Sequence, residues 1–387
     1  MEFETAEQVA KRENVTVRTV QLWAKEGKIE GAKKVGRDWL IPVNASVSKK
    51  PADSSDTSVF LPFTAKFTKD QSFSEFISTI KSDEERILAT GEYYYFTGQC
   101  DKAVESVYDL LTSPNPAIYF SASIIYFYSK LALGMTHLAN LSMKNIQERL
   151  SKILSEKTDD RTTAIAVFAC SLLSAQLHIP DKKIPPLEDY IKYLDGGVKY
   201  FALNIIAYNA FLKKDYSRAY GLAEATLIMM PEKYCVTGIH LHTLDAICLM
   251  QLTNPKDAKR HFASAFEFAE KERLFAPFVE YHLLLQGVLE AQLKKTHPKE
   301  YQFINELSAR FGAGWRGVHN EVLNKTVADN LTTTEFIIAM LYHHNWRIKE
   351  IAAHIGLSER TIKNYLQIIY QKLGINGKKD LEQFMIN

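Results

Sequence analysis

The chain has 387 residues, 46% of them apolar and 24% charged, which is a globular composition long enough for two to three domains. No apolar run reaches membrane-spanning length and the start Met1-Glu2-Phe3-Glu4 does not read as a signal peptide, so a cytoplasmic protein is expected. The net charge of +2 is unevenly placed: residues 1–50 hold ten Lys/Arg against seven Asp/Glu, residues 331–387 seven against five, and the middle 30 against 33. Positive ends around a mildly acidic centre suit nucleic-acid contacts at both ends.

The first 43 residues form a unit of their own. Thr5 and Gln8 have capping-box spacing, which starts a short helix to about Arg12 with Val9 and Ala10 facing inward. Glu13-Asn14-Val15 is a turn, and Thr16 caps a second helix, Val17 to Lys25. That helix buries Val20, Trp23 and Ala24 and exposes Arg18, Gln21 and Lys25. Beyond Gly27, two strand-like runs, Ala32 to Val35 and Trp39 to Ile41, are joined by Gly36-Arg37-Asp38. The pattern is a helix-turn-helix with a wing carrying Lys33, Lys34 and Arg37. It resembles the excisionase-like, MerR-related winged helix family in TAEQVAKRENVTVRTVQLWAKEGKI and VGRDWLIP, although Val17 and Leu22 are less polar than is usual there. The resemblance implies DNA contacts from Arg18, Gln21, Lys25, Lys33, Lys34 and Arg37.

Residues 44–58, rich in Ser, Asp, Lys and Pro, have no apolar period and read as a flexible linker. From Val59 to about Lys325 the pattern is helical nearly throughout. Gly91, Tyr94, Gly98, Ala103, Val107 and Leu110 match the spacing of small and large residues in a tetratricopeptide hairpin. Related patterns return at Ala219, Ala223 and Thr226, and at Ala258, Phe262 and Ala265. Residues 59–325 are therefore expected to form a tetratricopeptide-like superhelix or a helical bundle that senses a small molecule or binds a protein partner.

Candidate chemistry in this middle region is sparse. His240, His242 and His261 read as core or surface histidines, since His240 and His242 point to different sides of one helix. The aromatic runs Tyr93 to Phe96 and Tyr119 to Tyr128 read as packing. Phe311-Gly312-Ala313-Gly314-Trp315 reads as a glycine-broken turn, and no phosphate-binding loop occurs. Cys100, Cys170, Cys235 and Cys248 have no paired spacing and are expected to be buried thiols. No cofactor, metal site or catalytic constellation is expected, which argues against an enzyme.

At the far end, Thr332 and Glu335 again have capping-box spacing and begin a helix with Phe336, Ile338 and Leu341 at helical intervals, ending at His343-His344-Asn345. A short helix with Ile348, Ile351 and Ala352 inside stops at Gly356. Ser358 caps a third helix with Ile362, Leu366, Ile369 and Leu373 on its buried stripe. Glu359, Lys363, Asn364, Gln367 and Gln371 lie opposite, and Gly374 closes it. This is a helix-turn-helix.

LTTTE, KEIAAHIGLSERTIKNYL and IYQKLGI, with Lys378 beyond them, resemble the LuxR type of DNA-binding domain. Tyr365 stands where that family usually has His, and Asn345 where it has Gly. The resemblance implies a four-helix domain over residues 330–387, with Lys363, Asn364 and Gln367 at base edges. It further implies Lys349, Ser358, Thr361 and Lys378 near phosphates, and a last helix from about Lys378 to Met385 that pairs with its twin in a homodimer.

The expected protein is thus mainly α and multidomain: a transcription regulator of bacterial type, binding double-stranded DNA at both ends of a helical domain. An architectural protein of DNA recombination and a helical scaffold or adaptor are the alternatives. A promoter-specific dimer footprint argues against the first, and loss of all DNA affinity in the intact protein favours the second.

Overall fold

The computed structural model describes residues 3–12, 17–25, 29, 31–35, 38–43, 60–323 and 330–385, which fall into two compact units, 1–57 and 58–387. In the first, β1 (Phe3–Thr5) leads into α1 (Ala6–Arg12), followed by α2 (Val17–Lys25), β2 (Lys33–Val35) and β3 (Asp38–Pro42). The start of α1 is fixed reciprocally. The Thr5 N–H donates to Gln8 Oε1 at 2.8 Å and the Gln8 N–H to Thr5 Oγ1 at 3.4 Å. Val9, Ala10, Val20, Ala24, Ile29 and Ile41 form its small core.

The anticipated β-hairpin is the antiparallel pair β2 and β3, but the sheet has a third strand, in the order β1-β3-β2. Phe3, Glu4 and Thr5 pair with Pro42, Ile41 and Leu40. Three residues carry too little alternation to announce a strand. It exists because β3 offers its second edge to them.

The second unit begins with α3 (Pro62–Lys66), α4 (Phe73–Thr79), α5 (Asp83–Phe96), α6 (Cys100–Val107) and α7 (Pro116–Ala132). It continues with α8 (Thr136–Glu156), α9 (Asp160–Gln176), α10 (Gly196–Leu212), α11 (Tyr216–Met229), α12 (Cys235–Gln251) and α13 (Pro255–Ala269). Then come α14 (Ala276–Glu280), α15 (Val288–Leu293) and the long α16 (Pro298–Leu323).

The small residues singled out in the sequence lie at close helix approaches. Ala103, Ala219, Ala223, Ala258 and Ala265 are fully buried, and a Cβ on Gly91 of α5 would stand 2.7 Å from Val107 Cγ1 at the end of α6. From α5 to α13 each helix packs on the next, as in a stack of hairpins.

The helices do not form a purely one-dimensional stack, however, because α3 contacts α5, α10 and α12, and α16 returns onto α7, α8 and α14. At the front of α3, Glu92 from α5 takes up N–H groups that a helix start leaves without partners. Its Oε1 accepts from the Phe63 N–H at 2.9 Å, and its Oε2 from the Thr64 N–H at 3.0 Å and the Thr64 hydroxyl at 2.6 Å. Burial nevertheless pushes the Glu92 carboxyl up to about 7. Gly197, at the start of α10, lets this helix approach α3 so closely that a Cβ would meet the Thr64 carbonyl oxygen at 2.2 Å.

Phe311 to Trp315 is not a turn: α16 runs straight through it. Gly314 serves packing, since a Cβ there would lie 2.0 Å from the Leu131 carbonyl oxygen of α7. Trp315 then donates its indole N–H to the Gln176 carbonyl at 2.7 Å. The four cysteines are buried free thiols, as expected. The proposed linker, residues 44–58, lies outside the described residues.

Candidate nucleic-acid interface

Three helices follow: α17 (Thr333–His343), α18 (Ile348–Ile355) and α19 (Glu359–Leu373). The start of α17 is the expected capping box, with the Thr332 N–H donating to Glu335 Oε2 at 2.7 Å and the Glu335 N–H to Thr332 Oγ1 at 3.3 Å. Glu335 also receives Lys372 Nζ on both oxygens, at 2.9 and 2.8 Å, which ties the first turn of α17 to the last turn of α19. Burial alone would raise the Glu335 carboxyl, but the hydrogen bonds from Lys372 and Thr332 hold it below its usual value.

The turns between these helices use left-handed backbone. Asn345 ends α17 with φ 66°, a conformation its short amide tolerates. Gly356 (φ 72°) ends α18 and Gly374 (φ 64°) ends α19. Ser358 Oγ accepts the Thr361 N–H at 3.1 Å and so fixes the entry of α19.

The two faces of α19 differ sharply. Ile362, Leu366 and Ile369 are buried, while Lys363, Asn364, Gln367 and Gln371 are exposed. Arg360, absent from the sequence-derived set, is exposed one helical turn before Lys363 and joins the same polar stripe. Its position three residues before Lys363 was the available signal. Lys349 is exposed on α18.

Lys378 is not a free cation in this conformation. It donates to Asn345 Oδ1 at 2.6 Å and lies 4.9 Å from the centre of the Tyr342 ring. The expected fourth α-helix is a 3-10 helix, Lys378–Phe384. Leu381 and Met385 are buried in the domain's own core, and the segment packs on α17.

In the N-terminal unit, Gln21 and Lys25 on α2 and Lys33 and Lys34 on β2 are exposed. Arg37 and the side chains of Arg18, Leu22 and Trp23 lie outside the described residues.

The C-terminal helices are docked on the helical domain through α18, leaving the polar face of α19 exposed. His354 of α18 is buried and its Nε2–H donates to the Gln286 carbonyl at 2.8 Å. Gly287 (φ 84°) makes room beside it, since a Cβ there would meet Ile355 Cγ2 at 2.7 Å.

Elsewhere in the helical domain, Tyr95, Phe96, Tyr128, Phe201, His240 and Glu280 help line a cavity of about 40 Å³, water-sized rather than ligand-sized. There Tyr95 donates its hydroxyl to Glu280 at 2.6 Å, and burial pushes the Glu280 carboxyl up to about 8. No helix among the described residues is long and apolar enough to cross a membrane.

A capped first helix, a short second helix, a left-handed glycine turn and a third helix with a polar outer stripe define a helix-turn-helix DNA-binding domain. Residues 324–385 match the family model for bacterial regulatory proteins, luxR family. The C-terminal domain is therefore a LuxR-family helix-turn-helix, and the protein carries the DNA-binding part of a transcriptional regulator. Searches of curated proteins and of solved structures returned no match.

Proposed function

We propose that the protein is a sequence-specific transcription regulator in which α19 enters a major groove. Lys363 donates to guanine O6 and N7, Asn364 and Gln367 pair with adenine, and Arg360 joins them at the start of the helix. Lys349, Ser358 and Thr361 lie toward the phosphates. Lys378 reaches a phosphate only by leaving Asn345. The observation that carries this reading is the division of α19 into a buried apolar stripe and an exposed stripe of donors and amides, within a luxR-family domain.

The N-terminal winged helix adds a second DNA contact through Arg18, Gln21, Lys25, Lys33, Lys34 and Arg37. The tetratricopeptide-like helical domain senses a small molecule or protein partner, and a homodimer is the DNA-bound form. The docking of α18 on the helical domain supports a link between that domain and the reading head.

The test is selection of duplexes from random-sequence DNA by the intact protein, followed by quantitative binding of the selected sequence and a scrambled one. Enrichment of one motif, bound at least a thousandfold more tightly than the scramble, is the expected result. Uniform binding of every duplex would favour an architectural role, and no binding a scaffold role.

A further inference from the structure

Among the described residues, one group of three His, Cys, Asp or Glu side chains gathers its donor atoms as a metal site does: His242 and Asp245 on α12 and His261 on α13. From these residues we infer a binding site for a first-row divalent cation of the zinc type, held between α12 and α13, with Glu224 of α11 at its open side. His240 takes no part. It turns from the other face of α12 toward Glu280 and the Phe201 ring, as the sequence spacing anticipates, whereas the meeting of His242 with His261 depends on how the two helices pair.

The distances carry the inference. Zinc bonded at 2.0–2.1 Å to four tetrahedral donors sets them about 3.3 to 3.4 Å apart. His242 Nδ1 and His261 Nδ1 are 3.5 Å apart, and His261 Nδ1 and Asp245 Oδ2 3.3 Å. All three donor atoms lie within 4.8 Å of one another. Glu224 Oε1, 3.9 Å from His261 Nδ1, is placed to supply a fourth ligand or to leave that position to water. Two imidazoles with one or two carboxylates are a donor set suited to zinc, and also to cobalt as its spectroscopic substitute.

A second observation points to a cation. Asp245 is 0% exposed, and neither of its oxygens makes a hydrogen bond. A carboxylate in such a place is costly unless a positive charge compensates it. A dication bound to the deprotonated carboxylate and neutral imidazoles supplies the missing charge and displaces only protons.

The experiment uses the full-length protein, stripped with a chelator and desalted, then titrated with Zn²⁺ and separately with Co²⁺. Expected are one equivalent of zinc retained through desalting, a rise in melting temperature with Zn²⁺ but not Mg²⁺, and the intense visible absorption of tetrahedral cobalt. Asp245→Asn and His261→Gln should each weaken zinc binding by about a hundredfold or more, with helicity unchanged by circular dichroism. His242→Ala, at the more exposed ligand, provides a third variant. If the buried variants misfold, the wild-type cobalt spectrum and His242→Ala decide. Absence of stoichiometric zinc, a weak octahedral cobalt spectrum, or undiminished binding in the folded variants would each overturn the site and leave an ordinary His261–Asp245 ion pair.

Discussion

His354, in the second helix of the DNA-binding domain, is buried and donates its Nε2–H to the main-chain carbonyl of Gln286 in the helical domain, at 2.8 Å. A carbonyl only accepts, so the proton must sit on Nε2. Burial lowers the His354 pKa, Lys259 lowers it further, and the Gln286 bond and Glu290 offset part of the shift. His344 beside Gln286 is held at about 4 by burial and then by His343 and Lys214.

A histidine kept neutral in this way contributes stability that is complete above its ordinary value near 6.5 and is lost as pH falls through the lowered folded value. His354→Ala should therefore cost about 1 to 3 kcal/mol at pH 7.5 by stranding the Gln286 carbonyl. It should cost less at pH 5. Urea unfolding of both proteins at the two pH values reads this difference and cancels the opposite trend of the buried acids Glu92, Asp245 and Glu280. An equal cost at both pH values would remove the histidine from the account.

Lys378 and Asn345 form a second, more exposed tie. Lys378→Ala should cost no more than about 1 kcal/mol of stability, as expected of a surface contact with an aromatic neighbour. If the lysine leaves Asn345 for a phosphate, the same variant should weaken specific and non-specific DNA binding alike and reduce the salt slope of binding by about one. A double-mutant cycle with Asn345→Gly separates the two effects, since glycine keeps the left-handed turn and removes only the acceptor.

The glycines of α16 provide a contrast within one helix. Gly314→Ala places a Cβ against the Leu131 carbonyl oxygen and should destabilise by about 1 to 3 kcal/mol. Gly312→Ala meets only the end of the Arg316 side chain, at 3.2 Å, and should be neutral or stabilising by up to about 1 kcal/mol through helix propensity. Thermal unfolding of the two variants decides between a helix and the turn that the sequence suggests.

Local chemistry made much of this chain legible. Thr5 with Gln8, Thr332 with Glu335, and Ser358 each mark a helix start that the structure contains, because a cap is written within four residues. The polar stripe of α19 was equally readable from its period. Features that depend on distant partners were not. β1 exists through its pairing with β3, the course of α16 depends on Leu131, and His354 is buried because Gln286 and Gly287 come to meet it. His242, Asp245 and His261 are brought together by the pairing of two helices, which spacing along one helix cannot show.

For the N-terminal module, deletion of residues 1–50 should weaken binding to natural target DNA on the order of a hundredfold, if both modules engage at once. It should also shorten the protected stretch and flatten the salt dependence. Lys33→Ala with Lys34→Ala should reproduce part of the loss of salt dependence without unfolding the unit, because both side chains are exposed. Unchanged footprint length and salt slope in the deletion would assign the module to protein contacts instead.

The most direct test of the central claim is the affinity of the intact protein and its Lys363→Ala variant for the selected DNA motif, single-base variants of it, and scrambled DNA at one salt concentration. If Lys363 reads a base edge, the variant loses about 1 to 3 kcal/mol on the motif and little on scrambled DNA, and the penalty for changing one particular base pair disappears. Equal losses on all duplexes, or none on any, would contradict base reading by the exposed face of α19.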